Sequence, residues 1–346
     1  MAWGWRWDWR WVVGSEVTRL RLQWRPFAFA LPQPLATARG TLTHKRGWLL
    51  RLAGADGRLG WGEAAPLELD GPEPWETIGS SLGGLGGELS RGQLEQWLPS
   101  PACPPCLGFA LGAALAELDG RVPPGGWRPA PPPAWLLPAG DAMPAALERL
   151  FAQRAQAGMV RRPLCVKWKV AAAPDQREFQ LLELLLRQLP ADGRLRLDAN
   201  GGWDLPTAFA WAERLVDEPR LEWLEQPLPP PDLEGLERLA ARVPVALDES
   251  LQENPALRAS WPGWQVRRPS QEGDPRPLLA ELEAGRPRLM LSTAFETGIG
   301  RRWLEHLAAL QGLGPTPVAP GLAPGWRPEG ALFASDPQVV WAGSHA

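Results

Sequence analysis

Residues 164–170, with the sequence LCVKWKV, are the first of a series of short apolar segments. The series consists of LCVKWKV (164–170), RLRLD (194–198), LEWLE (221–225), VALDE (245–249), WQVRR (264–268) and RLMLS (288–292). Between the earlier members lie segments with the apolar spacing of amphipathic helices, REFQLLELLLRQL, TAFAWAERLV and LEGLERLAARV. This alternation of strand and helix patterns predicts parallel βαβ units.

A polar residue lies at the end of each predicted strand. These residues are Lys169, Asp198, Glu225, Asp248, Arg268 and Ser292, separated by 29, 27, 23, 20 and 24 positions. Each separation accommodates one strand and one crossover helix, and six consecutive units without a reversal favour a closed (β/α) barrel over an open sheet. In such a barrel the polar strand ends lie around one mouth.

The chain before this series has a different pattern. Residues from about 17 to 67 predict an antiparallel meander, and residues 76–120 predict helices. The stretch RVPPGGWRPAPPPA at 121–134 cannot continue a helix or a central strand, so we predict a domain linker there. The Gly/Pro-rich segments near 31–40 and 60–66 are interpreted as loops that form a lid over the barrel mouth.

Composition argues against several classes of protein. Lys and Arg number 36 and Asp and Glu 39, a net charge of −3 that is dispersed along the chain, which argues against a nucleic-acid partner. No apolar run reaches the ~20 residues of a membrane helix and no signal-peptide core is present, so we expect no membrane partner and a cytoplasmic location. The oligomeric state is left open.

The alternation of Trp3, Trp5, Trp7, Trp9 and Trp11 fits either a covering strand or a poorly ordered leader.

Three successive predicted strands each bring one carboxylate to the mouth, namely Asp198, Glu225 and Asp248. Three carboxylates in a low-dielectric site repel one another by several kcal/mol unless a cation lies among them. Mg²⁺ is the predicted cation, because it binds a few carboxylates and keeps positions for water and a substrate oxygen. With Mg²⁺ bound, the residual charge of about −1 stabilises nearby ammonium groups.

Lys167 and Lys169 share one face of their predicted strand, with Cα atoms ~6.7 Å apart. At an effective dielectric of ~20 their repulsion is about 2.5 kcal/mol, which lowers the pKa of each lysine. The residual negative charge acts in the opposite direction by a similar amount, so the final pKa stays open. A base beside a metal suits proton abstraction next to a carboxylate. Each acid alone is also explained as a solvated or ion-paired residue, but the agreement of all strand ends favours a site.

At these residues the chain resembles the enolase superfamily, its muconate-lactonising-enzyme-like branch, and within that branch the o-succinylbenzoate synthase family. The matching segments are VKWKV, RLDANGGW, WLEQPL, LDES, RRPS, STAFETGIG and APGL, together with PLATARGTLTHKRGW and GWGEAAPL nearer the N-terminus. The resemblance implies a (β/α)7β-type modified TIM barrel at residues 135–322 and an α+β N-terminal capping domain at residues 1–125. Residues from about 323 to 346 are expected to pack back on the capping domain.

The resemblance also implies roles for individual residues. Asp198, Glu225 and Asp248 correspond to Mg²⁺ ligands, Lys169 to the general base, and Lys167 to a group that holds the substrate carboxylate and tunes Lys169. Substrate-binding roles are implied for Ser292, Thr293, Glu296, Arg196 and Asn200. One position departs from the family pattern, because Arg268 stands before Pro269 where the family carries lysine. Arginine stays charged in proteins and cannot serve as a base, which puts two-base chemistry in doubt.

The activity implied by the resemblance acts on a small-molecule carboxylate. It is the syn dehydration of 2-succinyl-6-hydroxy-2,4-cyclohexadiene-1-carboxylate to o-succinylbenzoate, a step toward menaquinone or phylloquinone. One alternative is racemisation of N-acylamino acids or epimerisation of dipeptides, which normally needs a lysine on each face of the α-carbon. A second alternative is a non-catalytic barrel with a binding or structural role. The presence of all three acids with both lysines argues against that alternative.

Overall fold

The computed structural model of the chain describes residues 19–37, 40–67, 73–122, 126–159 and 163–344. The alternating tryptophans at the start of the sequence lie outside the described residues, so both interpretations of that segment stay open. No helix among the described residues has the length and apolar character needed to cross a membrane.

The N-terminal part is an antiparallel sheet with helices on one side. Its strands are β1 (Arg19–Thr37), β2 (Gly40–Ala53), β3 (Leu59–Ala64) and β4 (Glu88–Ser90), in the order β3-β2-β1-β4. Its helices are α1 (Glu73–Leu85), α2 (Arg91–Trp97) and α3 (Pro105–Leu118). The meander and the helices agree with the sequence prediction, whereas the three residues of β4 are too few to give a readable period. Helix α3 is apolar on nearly all sides because the sheet covers one side and the barrel helices cover the other.

The interpretation of residues 60–66 as a lid loop is wrong. These residues lie in β3 and directly after it, and they are buried between β2 and α3. Their glycines allow close packing, since a Cβ atom on Gly60 would lie 1.9 Å from the Ala114 carbonyl oxygen and one on Gly62 2.1 Å from that of Ala110. Residues 31–37 belong to the β1–β2 hairpin, whose register shifts between Ala30 and Leu35. Coverage of the mouth by this hairpin stays a prediction.

The rest of the chain is built around seven parallel strands that pair in chain order. They are β5 (Trp135–Leu137), β6 (Cys165–Lys169), β7 (Arg194–Asp198), β8 (Leu221–Glu225), β9 (Val245–Leu247), β10 (Trp264–Arg267) and β11 (Leu289–Leu291). The helices that follow the strands are α4 (Met143–Gln156), α5 (Asp175–Gln188), α6 (Leu205–Leu215), α7 (Leu233–Ala240), α8 (Glu249–Glu253), α9 (Leu257–Ser260), α10 (Arg276–Glu283) and α11 (Gly298–Gly312). Strand β5 is absent from the sequence prediction, because three residues after a proline run give no period.

An eighth segment closes the ring after α11. Gly321 forms a parallel bridge with Ser292, and the Pro320 carbonyl oxygen accepts a hydrogen bond of 3.0 Å from the Ala134 amide just before β5. The last strand is thereby joined to the first, which confirms the predicted (β/α)7β-type modified TIM barrel. Outward-facing strand residues pack on the helices, as Trp168 of β6 does on Trp211 of α6 with ring centroids 6.3 Å apart.

The C-terminal segment packs on the N-terminal sheet. Helix α12 (Pro337–Gly343) buries Val340 and Trp341 in a cluster with Phe27 and Trp61. The Arg25 guanidinium lies 4.4 Å from the Trp341 ring centroid and donates a hydrogen bond of 3.0 Å to its carbonyl oxygen. These contacts support our proposal that residues 323–346 belong with the N-terminal domain, and the domain boundaries at 125, 135 and 322 stay predictions.

A buried carboxylate joins the N-terminal sheet to the barrel. Glu63 of β3 lies at the N-terminus of α11, where its Oε2 accepts hydrogen bonds from the Thr297 amide (2.9 Å), the Thr297 hydroxyl (2.5 Å) and the Gly300 amide (3.0 Å). Burial raises the pKa of Glu63 to about 7, although Lys45 and the Thr297 hydrogen bonds lower it. Its charge state therefore changes near neutral pH.

Candidate active site

The register of the parallel strands brings the predicted site residues together. Lys169 pairs with Asp198 across β6 and β7, and Asp198 pairs with Glu225 across β7 and β8. Asp248 follows the last residue of β9, two residues beyond the partner of Glu225. The three carboxylates and the lysine pair therefore lie at the C-terminal mouth of the barrel.

Lys167 bridges two of the carboxylates. Its Nζ lies 2.7 Å from Asp198 Oδ2 and 2.5 Å from Glu225 Oε1. Burial lowers the pKa of Lys167, but the negative charges of Asp198, Glu225 and Asp248 outweigh burial, and its pKa is raised. Lys169 is the last residue of β6 and points to the same face.

The carboxylates of Glu225 and Asp248 have opposite electrostatic environments. Burial raises the pKa of Glu225, and the neighbouring charges of Asp198 and Asp248 add to this rise while Lys167 opposes it. Burial also acts to raise the pKa of Asp248, but Arg268 outweighs it and the pKa of Asp248 is lowered. The negative charge of Glu225 is therefore less stabilised than that of Asp248.

Arg268 lies across the barrel from the lysine pair, since β6 and β10 are four positions apart in a ring of eight. Its Nε donates to Asp248 Oδ1 at 3.0 Å, and one Nη contacts the other oxygen of Asp248. The remaining Nη donates to Ser292 Oγ at 3.2 Å and to the Thr293 carbonyl oxygen at 2.8 Å. Arg267 points away from the mouth and pairs with Glu272 at 2.6 Å. Arg268 is therefore the arginine of this strand end that faces the site.

Thr293 and Glu296 form a hydrogen-bonded group against the N-terminal sheet. Glu296 accepts hydrogen bonds from Thr293 Oγ1 (2.6 Å), Ser270 Oγ (2.7 Å) and the Ala294 amide (2.8 Å). Burial acts to raise the pKa of Glu296, but Lys45 and these donors outweigh it, so the pKa is lowered. Lys45 also donates to the Ala294 carbonyl oxygen. The substrate-binding roles of Ser292, Thr293 and Glu296 stay predictions.

Arg196 and Asn200 do not share one environment. Arg196 is fully buried one layer below Asp198 on β7, and its Nε lies 2.6 Å from Glu222 Oε2. Because Arg196 has no exposed surface, this geometry does not support its predicted contact with the substrate. Asn200 lies just beyond β7 and donates from Nδ2 to Glu249 Oε1 at 3.1 Å. Burial, together with the charges of Asp248 and Asp198, raises the pKa of Glu249 to about 8.

Sequence reasoning missed Gln226 and Glu249. Gln226 is fully buried, and its Oε1 accepts hydrogen bonds from the amides of Asp248 (3.1 Å) and Ser250 (3.0 Å). Gln226 thus fixes the start of the loop that carries Asp248. It lies inside the matching segment WLEQPL, but an uncharged residue gives no electrostatic signal there. Glu249 follows Asp248 in LDES, where its acidity was visible but its burial was not.

The side chains at this mouth suit a hard divalent cation by their donor type. The position between Asp198 and Glu225 already accepts positive charge, since the Lys167 ammonium lies within 2.7 Å of both. Asp248 is also attracted by the Lys167 ammonium, but it forms its hydrogen-bonded ion pair with Arg268. Across the described part of the chain, no three Asp, Glu, His or Cys side chains form a ready metal cluster. The donor set fits Mg²⁺, which must displace or rearrange these ion pairs on binding.

Comparison with known proteins places the chain in a family. Residues 149–259 match the family described as Enolase C-terminal domain-like. The o-succinylbenzoate synthase of Thermosynechococcus vestitus is 36% identical over 300 residues, which cover 83% of this chain and 88% of that protein. The o-succinylbenzoate synthase of Enterobacter sp. strain 638 is 30% identical over 312 residues, which cover 86% of this chain and 87% of that protein.

Solved structures support the same family assignment. The crystal structure of o-succinylbenzoate synthase from Thermosynechococcus elongatus BP-1, complexed with Mg in the active site, has a TM-score of 0.76 and 32% identity, covering 93% of this chain and 99% of that one. The L-Ala-D/L-Glu epimerase from Bacillus subtilis, with a TM-score of 0.65 and 21% identity over 86% of this chain and 88% of that one, shows the shared fold alone. The predicted resemblance is thereby confirmed, and the chain belongs to the o-succinylbenzoate synthase family of the enolase superfamily.

Proposed function

We propose that this chain is a Mg²⁺-dependent o-succinylbenzoate synthase. It is a carbon–oxygen lyase that removes water from 2-succinyl-6-hydroxy-2,4-cyclohexadiene-1-carboxylate. The observation that carries this proposal is the placement of Lys167 and Lys169 beside three carboxylates, with the fixed charge of Arg268 across the barrel. Its family relatives bear the same activity in their names.

Asp198, Glu225 and Asp248 would hold the metal. When bound there, Mg²⁺ supplies positive charge that stabilises the negative charge developing on the substrate carboxylate as the α-proton leaves. The residues of the chain supply the other parts of the reaction. Lys167, whose pKa is raised, stays an ammonium and offers its charge to a substrate carboxylate at the same rim.

Lys169 is assigned the proton transfers. In its unprotonated form it takes the proton from the carbon next to the carboxylate, and the electrons of that C–H bond move toward the carboxylate. The resulting ammonium then gives the same proton to the departing hydroxyl group, the C–O bond breaks, and water and the aromatic product leave. Because one group acts in both steps, the hydrogen and the hydroxyl depart from the same face, which is syn elimination.

Arg268 favours dehydration over the alternative of racemisation or epimerisation. Its guanidinium is bound to Asp248, Ser292 and Thr293, and arginine stays protonated at neutral pH and serves as neither acid nor base. Dehydration needs only a fixed positive charge on this side, whereas inversion needs a proton donor there. The geometry therefore supports one-base chemistry and gives no specific support to an epimerase.

The test is turnover of the purified protein with three substrate classes. We expect formation of the aromatic product from the cyclohexadiene carboxylate with Mg²⁺, loss of activity in EDTA and recovery on adding Mg²⁺ back. Dipeptides and N-succinyl amino acids are the matched comparison, and faster inversion of either than dehydration would overturn the proposal. A role in menaquinone or phylloquinone synthesis and a cytoplasmic location stay predictions that rest on this activity.

A further inference from the structure

We infer that Trp223 is a positioning residue for the carboxylate of Glu225 and that its indole N–H sets part of the affinity of this site for Mg²⁺. This inference rests on the proposed function, because it takes Glu225 as a metal ligand. It adds a residue that lies outside the predicted catalytic, metal-binding and substrate-binding sets.

The two oxygens of Glu225 have different donors. Trp223 Nε1 donates to Glu225 Oε2 at 3.3 Å, while Lys167 Nζ lies 2.5 Å from Glu225 Oε1. Trp223 and Glu225 are two residues apart on β8, so both side chains point into the barrel. Because both residues have no exposed surface, water cannot replace the indole as the donor to Oε2. The indole bond holds Oε2 below the rim and leaves Oε1 as the oxygen presented to the mouth.

The indole ring of Trp223 is itself packed against two large side chains. The Arg196 guanidinium lies 4.1 Å from the ring centroid, and the ring of Trp264 lies 4.8 Å away at a tilt of 32°. Ala246, Val266 and Met290 complete the buried cluster around it. A positive charge on the face of an indole withdraws electron density and makes the N–H a better donor. The buried Arg196 thereby supports the bond to Glu225 without contacting the carboxylate.

This hydrogen bond is not a general feature of the buried tryptophans. In the part of the chain that the structure describes, the Nε1 atoms of Trp168, Trp203 and Trp211 are buried without a hydrogen-bond partner. Tryptophan in this chain therefore often fills space alone. Trp211 is a matched comparison for Trp223, since both are fully buried and both contact other aromatic rings.

The experiment compares Mg²⁺ binding to substrate-free wild type, Trp223→Phe and Trp211→Phe by isothermal titration calorimetry. Phenylalanine keeps an aromatic ring at each position and removes the N–H. We expect about tenfold weaker Mg²⁺ binding for Trp223→Phe, as is typical when a partner of a metal ligand is lost, and unchanged affinity for Trp211→Phe. The Mg²⁺-dependent rise in Tm should shrink only in Trp223→Phe.

A second variant keeps the shape of the side chain in case Trp223→Phe fails to fold. Trp223→3-benzothienylalanine, introduced by codon suppression, replaces the N–H with sulfur in a ring of nearly the same size, and the same weakening is expected. Affinity within about twofold of wild type in either folded Trp223 variant, or equal weakening in Trp211→Phe, would overturn the inference. If the wild type itself binds no Mg²⁺, the proposed function fails first, so the two failures are distinguishable.

Discussion

The buried carboxyl group of Glu63 is expected to make the stability of the fold depend on pH. This carboxyl is buried at the N-terminus of α11, and its pKa is raised from an ordinary value of 4.5 to about 7. A carboxyl whose pKa is higher in the folded than in the unfolded state stabilises the fold when it is protonated, and this stability is lost as pH rises through the folded pKa. The full effect corresponds to about 3 kcal/mol, most of which is lost between pH 5 and pH 8.

The assay is urea unfolding of wild type and Glu63→Gln at several pH values between 5 and 8. Glutamine lacks the titration but keeps the size, so other titrating groups cancel in the difference between the two proteins. We expect the free energy of unfolding of wild type, relative to Glu63→Gln, to fall by about 2 to 3 kcal/mol from pH 5 to pH 8. Lost hydrogen bonds shift this difference by a constant and leave its slope intact. A flat difference, or one that rises with pH, would show that Lys45 and the helix N-terminus keep Glu63 ionised. Either result would contradict a raised pKa of Glu63 in the folded protein.

Three further predictions concern the site and the fold. Glu225→Gln should weaken Mg²⁺ binding by more than about a hundredfold in calorimetry, because it removes a charge and a ligand oxygen; an affinity close to wild type would argue against Glu225 as a ligand. With N-succinyl amino acids in D₂O, the wild type should show α-deuterium incorporation without loss of optical activity, and rapid inversion would contradict a one-base role for Lys169 opposite Arg268. Gly62→Ala should lower the free energy of unfolding by about 3 kcal/mol, since its Cβ would lie 2.1 Å from the Ala110 carbonyl oxygen. Gly83→Ala in α1, where a Cβ meets nothing within 4 Å, should be neutral or stabilising, and equal effects of the two changes would count against the packing argument.

The barrel and its mouth were predictable because polar residues recur at strand ends in an otherwise apolar series. Lys169, Asp198 and Glu225 lie side by side since parallel strands in register bring their C-terminal ends to one rim. The family resemblance assigned their roles, and those roles stay proposals. The geometry adds that Lys167 pairs with two of the three acids, which residue spacing alone does not show.

Features that depend on distant contacts were not predictable. Gly60 and Gly62 were interpreted as loop residues because glycine disfavours strands, but tertiary packing of β3 on α3 requires them. The roles of Gln226 and Trp223 depend on the burial of their side chains and on hydrogen bonds to Asp248 and Glu225, and neither residue carries a charge. The environment of Arg196 is likewise set by Glu222 and Trp223, so its burial below Asp198 could not be predicted from the sequence.

In the proposed mechanism, Lys169 performs proton transfer at a Mg²⁺ site formed by the neighbouring strands. The most direct test is the single-turnover rate of dehydration by wild type and Lys169→Ala at saturating Mg²⁺, with metal affinity measured on the same samples. We predict that Lys169→Ala binds Mg²⁺ as tightly as wild type but dehydrates the cyclohexadiene carboxylate at least about a thousandfold more slowly. A dehydration rate close to that of wild type in the metal-loaded variant would contradict it.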